Sequence, residues 1–98
     1  MTINKTENGG AVTYIIEGRL DTTTAPELEA VIKSELDGVT DLVFDFSKLD
    51  YISSAGLRIL LAARKKINPQ GSVRVTGANE TVREIFELTG FNDILTVE

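Results

Sequence analysis

Ser53 and Ser54 stand where an apolar run hands over to a helical pattern, in Tyr51-Ile52-Ser53-Ser54-Ala55-Gly56-Leu57-Arg58-Ile59-Leu60-Leu61. First-turn amides of a helix lack intrahelical partners, and the macrodipole favours negative charge there. A hydroxyl at this point can cap the helix, or it can carry a phosphate that the helix end stabilises. Other chemistry is sparse. The 98 residues include no cysteine and no histidine. Disulfides, thiolate nucleophiles, cysteine-based zinc sites and a Ser–His–Asp triad are therefore excluded. An enzyme would have to use carboxylates, lysines or a Ser–Lys pair, and no local motif sets a lysine beside Ser54. Asp21, Asp41, Asp45 and Asp50 lie near strand ends and loops. Three of them could hold a hard cation, yet nothing fixes their separation, and single Asp residues at such junctions are ordinarily caps or turn formers. No catalytic residue, metal site or cofactor is assigned.

Composition narrows the function classes further. Net charge is −5, and the ten Lys and Arg form no cluster beyond Arg64-Lys65-Lys66. Phosphate-backbone binding needs several cations on one face, so nucleic acid is a poor partner. Arg64-Lys65-Lys66 suits the dipole at a helix C-terminus. No apolar run approaches the roughly 20 residues that span a bilayer, and Met1-Thr2-Ile3-Asn4-Lys5 lacks a signal peptide's apolar stretch. A cytoplasmic protein without a membrane partner is expected, folded as one domain over residues 1–98 and monomeric when free.

The elements around the serine pair follow from local pattern. Thr2 to Glu7 alternates weakly, and Asn8-Gly9-Gly10 makes a tight hairpin turn rather than a phosphate loop, because no helix follows. Ala11 to Gly18 is β-branched and aromatic, hence a strand. Asp21-Thr22-Thr23-Thr24 offers N-caps before Ala25-Pro26. Ala25, Leu28, Val31, Ile32 and Leu36 then form a helical stripe, with Gly38 past its end. Leu42-Val43-Phe44-Asp45-Phe46 suits a strand covered on both faces. A helix over Leu57 to Lys66 follows, then a turn at Pro69-Gln70-Gly71 and a strand over Ser72 to Thr76. Asn79 can cap a third helix that buries Val82, Ile85, Phe86 and Leu88, exposes Glu80, Glu84 and Glu87, and ends at Gly90. Ile94 to Val97 adds an edge strand or packs down. The order predicts an α/β fold: a mixed β-sheet opening with an antiparallel hairpin, then right-handed βαβ units, with about three helices packed against it.

The segment Asp45-Phe46-Ser47-Lys48-Leu49-Asp50-Tyr51-Ile52-Ser53-Ser54-Ala55-Gly56-Leu57 resembles the signature of STAS domains, the anti-sigma factor antagonists. Gly18-Arg19-Leu20-Asp21 resembles that family's loop after the second strand, and Thr89-Gly90-Phe91 the end of its last helix. The resemblance covers in effect the whole chain. It implies a phosphorylation-controlled binding protein. In the family, a serine in D-S-[ST]-G-L is phosphorylated by a kinase that is also an anti-sigma factor. A PP2C-type phosphatase reverses the modification, and the unphosphorylated antagonist sequesters the kinase and frees a sigma factor. Aligned on Gly56-Leu57, the acceptor falls on Ser54, with Ser53 as the competing hydroxyl. Ser53 stands at the family's Asp position and Ala55 at its second hydroxyl. Ligands of mixed α/β sheets gather at strand C-terminal ends, so the partner surface is expected at Asp21, Ser53, Ser54, Gly56 and Leu57; the resemblance implies the anti-sigma factor serine kinase and the phosphatase as partners. Three other readings stay open: an unphosphorylated STAS accessory subunit of a transporter ATPase, a STAS module that binds a small ligand, and a Ser–Lys hydrolase.

Overall fold

The computed structural model describes residues 1–67, 69 and 71–98. β1 (Thr2–Asn8) folds back on β2 (Ala11–Leu20) through Gly9-Gly10, with Asn8 opposite Ala11. Only Gly9 takes a left-handed backbone, φ +64°, as the first central position of a two-residue hairpin turn can require. α1 (Ala25–Glu35), β3 (Asp41–Ile52), α2 (Ser54–Lys66) and β4 (Ser72–Thr76) follow. α3 (Glu80–Thr89), a 3-10 turn at Phe91–Asp93 and β5 (Thr96–Val97) complete the order. Asn79 caps α3 by accepting from the Val82 amide at 2.8 Å, and Gly90 closes it. The expected turn at Pro69-Gln70-Gly71 lies partly outside the described residues.

The five strands lie in sequence order, with β1 antiparallel and the rest parallel. Each parallel step moves the same way across the sheet. Right-handed crossovers then put every helix on one face. Burial agrees. In β3, Leu42, Phe44 and Phe46 are buried while Val43 and Asp45 are only half-buried, and β2 and β4 alternate likewise. The expectation of a strand covered on both faces is thus corrected: the sheet has one packed and one open face. Aromatic rings cross the packed face from Tyr14 through Phe44, Phe46 and Phe86 to Phe91, at centroid spacings of 6.3, 5.9, 6.4 and 6.2 Å. Such spacings suit offset or tilted ring contacts.

Three boundaries differ from the sequence pattern, each for a tertiary reason. β2 runs on to Leu20, so Gly18-Arg19-Leu20 is strand rather than loop. β3 extends to Ile52 because it pairs with that extension, at the cost of two register shifts. Each shift adds a residue to β3, which bends and twists the strand. α2 begins at Ser54, three residues before Leu57. Leu88, placed in the core stripe of α3, is 80% exposed. Val82 and Phe86 supply the buried face of α3, with Ile85 half-buried beside them.

Candidate functional site

Leu20 and Ile52 pair at the last rung between β2 and β3. One residue further, the Ser53 amide donates to the Leu20 carbonyl at 2.9 Å. The loop after β2 and the start of α2 are therefore joined at the C-terminal edge of the parallel strands, the edge where α/β sheets ordinarily bind ligands. The helix is seated close. A Cβ on Gly56 would lie 2.7 Å from Ile52 Cγ1 and 2.8 Å from Leu20 Cγ, nearer than real side chains approach. Gly56 and Leu57 are both buried, and the Leu57 amide makes the first α2 turn bond to the Ser53 carbonyl at 3.0 Å. Two of the five residues expected at a partner surface, Gly56 and Leu57, are thus buried beneath it rather than exposed on it.

The two serines part company at this junction. Ser53 is extended (φ −99°, ψ 176°), and its Oγ is buried without a hydrogen-bond partner. It occupies the N-cap position, yet its hydroxyl accepts from no first-turn amide. Simple capping by Ser53, the plainest structural role open to it, is not what the side chain does. Ser54 is the first helical residue, and it is exposed. No acidic residue follows it in the first turn. Of the two serines, only Ser54 is exposed, beside helix amides that can stabilise an anion.

Asp21 lies on the neighbouring loop, where it closes the turn that leads into α1. Its Oδ1 accepts from the Thr23 and Thr24 amides at 3.0 and 3.2 Å, while the Asp21 amide donates to Thr24 Oγ1 at 2.9 Å. The Thr24 amide, with help from Thr23 and the Thr24 hydroxyl, holds the Asp21 carboxyl below its ordinary range. Arg19 Nε sits 3.6 Å from Asp21 Oδ2, and the same guanidinium lies over the Tyr51 ring, 4.6 Å from its centroid. The sequence gives no sign of this stack, because the second register shift is what sets Arg19 opposite Tyr51. Asp21, Arg19, Tyr51 and Ser54 thus gather around one sheet edge.

A model of the STAS domain family matches residues 2–98 of the chain. The chain belongs to the STAS domain family. It is 35% identical over 99 residues to a Bordetella bronchiseptica protein named as the anti-sigma factor antagonist BtrV, a match that spans 99% of this chain and 84% of that one. The anti-sigma-B factor antagonist of Staphylococcus aureus is 30% identical over 84 residues, which spans 84% of this chain and 78% of that one. The crystal structure of an anti-sigma factor antagonist from Mycobacterium paratuberculosis superposes with a TM-score of 0.89 at 28% identity, covering 98% of this chain and 83% of that one. These relatives are named as regulators, not as enzymes.

In this STAS domain the Asp45 and Asp41 carboxylates are engaged separately. Asp45 accepts from the Ser47 amide at 2.9 Å, and the Ser47 hydroxyl and amide hold its carboxyl below the ordinary range. Asp41 accepts from the Ser72 hydroxyl at 2.7 Å. Asp50 is exposed, and its backbone carbonyl receives Asn79 Nδ2 at 3.3 Å. Among the described residues no three acidic groups converge in a metal-binding cluster. Among the described residues no helix is long and apolar enough to cross a membrane.

Proposed function

We propose that this STAS domain is a phosphorylation-controlled anti-sigma factor antagonist. Unphosphorylated, it binds an anti-sigma factor that is also a serine kinase, and so frees a sigma factor. The kinase phosphorylates Ser54 and thereby loses its ligand, and a PP2C-type phosphatase restores the binding form. The free protein is a cytoplasmic monomer. The observation that carries this reading is the contrast between an exposed Ser54 on the first turn of α2 and a buried Ser53 hydroxyl. A kinase must reach the oxygen it modifies, and only one of the two is within reach.

The energetics favour a switch at this position. A phosphate adds about −1.5 to −2 charge at neutral pH. In the free protein the helix end stabilises that charge by a few tenths to about 1 kcal/mol. Against a partner surface shaped for a neutral hydroxyl, an unpaired buried charge costs about 3–5 kcal/mol. Dissociation follows from the second effect, with the fold left intact. The test is fragment mass spectrometry of protein recovered from its native host. Phosphate on Ser54 supports the proposal. Phosphate on Ser53 moves the acceptor, and an unmodified chain that copurifies with a transporter ATPase or a small ligand replaces the proposal altogether.

A further inference from the structure

We propose that Arg58 holds the phosphate once Ser54 carries it, the two side chains forming an ion pair one turn apart along the outer face of α2. This rests on the reading of Ser54 as the acceptor. Both residues are exposed, and helix positions four apart stand about 5–6 Å apart at Cβ. Several of the other cations have partners. Arg64 donates to the Gly71 and Pro69 carbonyls at 3.2 and 3.4 Å, and Lys66 donates to the Lys33 carbonyl at 2.7 Å. Arg19 is taken by Tyr51 and Asp21.

Arg58 has no such partner among the described residues. Its neighbours three and four positions away are Ser54, Ala55, Leu61 and Ala62, none of them acidic. On α1, which packs beside α2, Glu29 is paired with Lys33 at 3.2 Å, and neither Glu27 nor Glu29 comes within ion-pair distance of Arg58. In a chain of net charge −5, an arginine left without a carboxylate on a small, apolar helix stripe is available for an incoming anion. A guanidinium suits phosphate because its planar fork can donate two parallel hydrogen bonds. The pairing has a regulatory consequence. Before modification Arg58 is the cation that this face offers a partner beside Ser54, with Lys65 near the far end of the helix. Phosphorylation of Ser54 adds negative charge and also withdraws that cation into the helix's own ion pair.

The test installs phosphoserine at position 54 during translation, in the wild type, Arg58→Gln and Arg58→Lys. Phosphorus NMR then follows the second phosphate ionisation. Arg58 favours the dianion, so the wild-type midpoint should lie about 0.3 pH unit below that of Arg58→Gln, the scale of an exposed pair four residues apart. Arg58→Lys should recover part of the shift. Equal midpoints in all three proteins overturn the pair. No kinase takes part in this readout, so it stands even where Ser54 proves not to be the kinase's target. A second arm measures affinity for the kinase in a four-member cycle of wild type and Arg58→Gln, each with and without the phosphate. Unmodified Arg58→Gln should bind about tenfold more weakly, the effect of losing one well-placed charge. Phosphorylation should then cost it about tenfold less than it costs the wild type. Additive effects overturn the withdrawal of Arg58. Circular dichroism of each variant confirms that Arg58, an exposed residue, leaves the fold unchanged when replaced.

Discussion

The Ser53 amide donates to the Leu20 carbonyl at 2.9 Å, although the two residues lie on different strand-to-helix junctions. That bond carries the ladder between β2 and β3 one rung past its last paired residues, Leu20 and Ile52. It sets Asp21 and Ser54, each the next residue along, on neighbouring segments at one sheet edge.

Gly56→Ala should loosen this junction. The added methyl meets Ile52 and Leu20, both fully buried and unable to swing aside. Overpacking of this kind costs about 1–3 kcal/mol. Thermal unfolding should show the loss, and faster amide exchange at Ser53 should show where it falls. An unchanged melting temperature would mean that α2 can shift outward freely.

Ser54→Ala should abolish phosphorylation by the kinase while leaving its binding intact and insensitive to ATP. Ser53→Ala should still be phosphorylated, because its hydroxyl is buried and caps nothing. A kinase assay with fragment mass spectrometry on both variants decides the acceptor. Stoichiometric labelling of Ser54→Ala would reverse the assignment.

Phosphorylated protein should keep its circular dichroism and melting temperature nearly unchanged. Its affinity for the kinase should fall by at least about a hundredfold, the equivalent of about 2.8 kcal/mol. Calorimetric titration of both forms measures this. Equal affinities, or unfolding on modification, would rule out the switch.

Asp21→Ala should weaken kinase binding and remove part of the protein's acid sensitivity. The Asp21 carboxyl is held below its ordinary range, first by the Thr24 amide. A depressed carboxylate stabilises the fold above its unfolded pKa of about 4, and that contribution is lost as pH falls through the lower folded value. The variant should therefore melt below the wild type at neutral pH, and the two should converge below about pH 4. Asp45, depressed by Ser47, keeps its own contribution in the same window. Parallel melts across this range check the sign.

Tyr14→Phe should remove an alkaline transition. Tyr14 is fully buried, and its hydroxyl donates to Glu35 Oε1 at 3.2 Å. Burial, aided by the Glu35 charge, pushes the phenol up to about 12. The fold thus favours the neutral phenol, and this stability is present below pH 10 or so and is lost as pH rises toward 12. Without the hydroxyl the variant should lose about 0.5–1.5 kcal/mol at neutral pH, as for one hydrogen bond. It should then show a smaller further loss between those values in denaturant titrations.

Much of this protein was legible in the residues themselves, wherever the cause is local. Gly9-Gly10 closes the hairpin because a two-residue turn needs a left-handed backbone, and Asn79 and Gly90 bound α3 because their side chain and backbone satisfy helix ends. The α/β order and the serine pair at a helix start follow from the same kind of pattern, whereas the family is read from the resemblance of Asp45–Leu57 to a known signature. Long-range pairing decided the rest. β3 runs on to Ile52 only because β2 is there to pair with it, and its added residues turn Tyr51 under Arg19. One-way crossovers leave the sheet with an open face that the apolar run Leu42–Phe46 gave no reason to expect, and the docking of α3 leaves Leu88 in solvent. The choice between the two hydroxyls is of this second kind. Adjacent serines carry the same chemistry, and only the bond from Ser53 to Leu20, with α2 seated over Gly56, turns one oxygen inward and leaves the other in water.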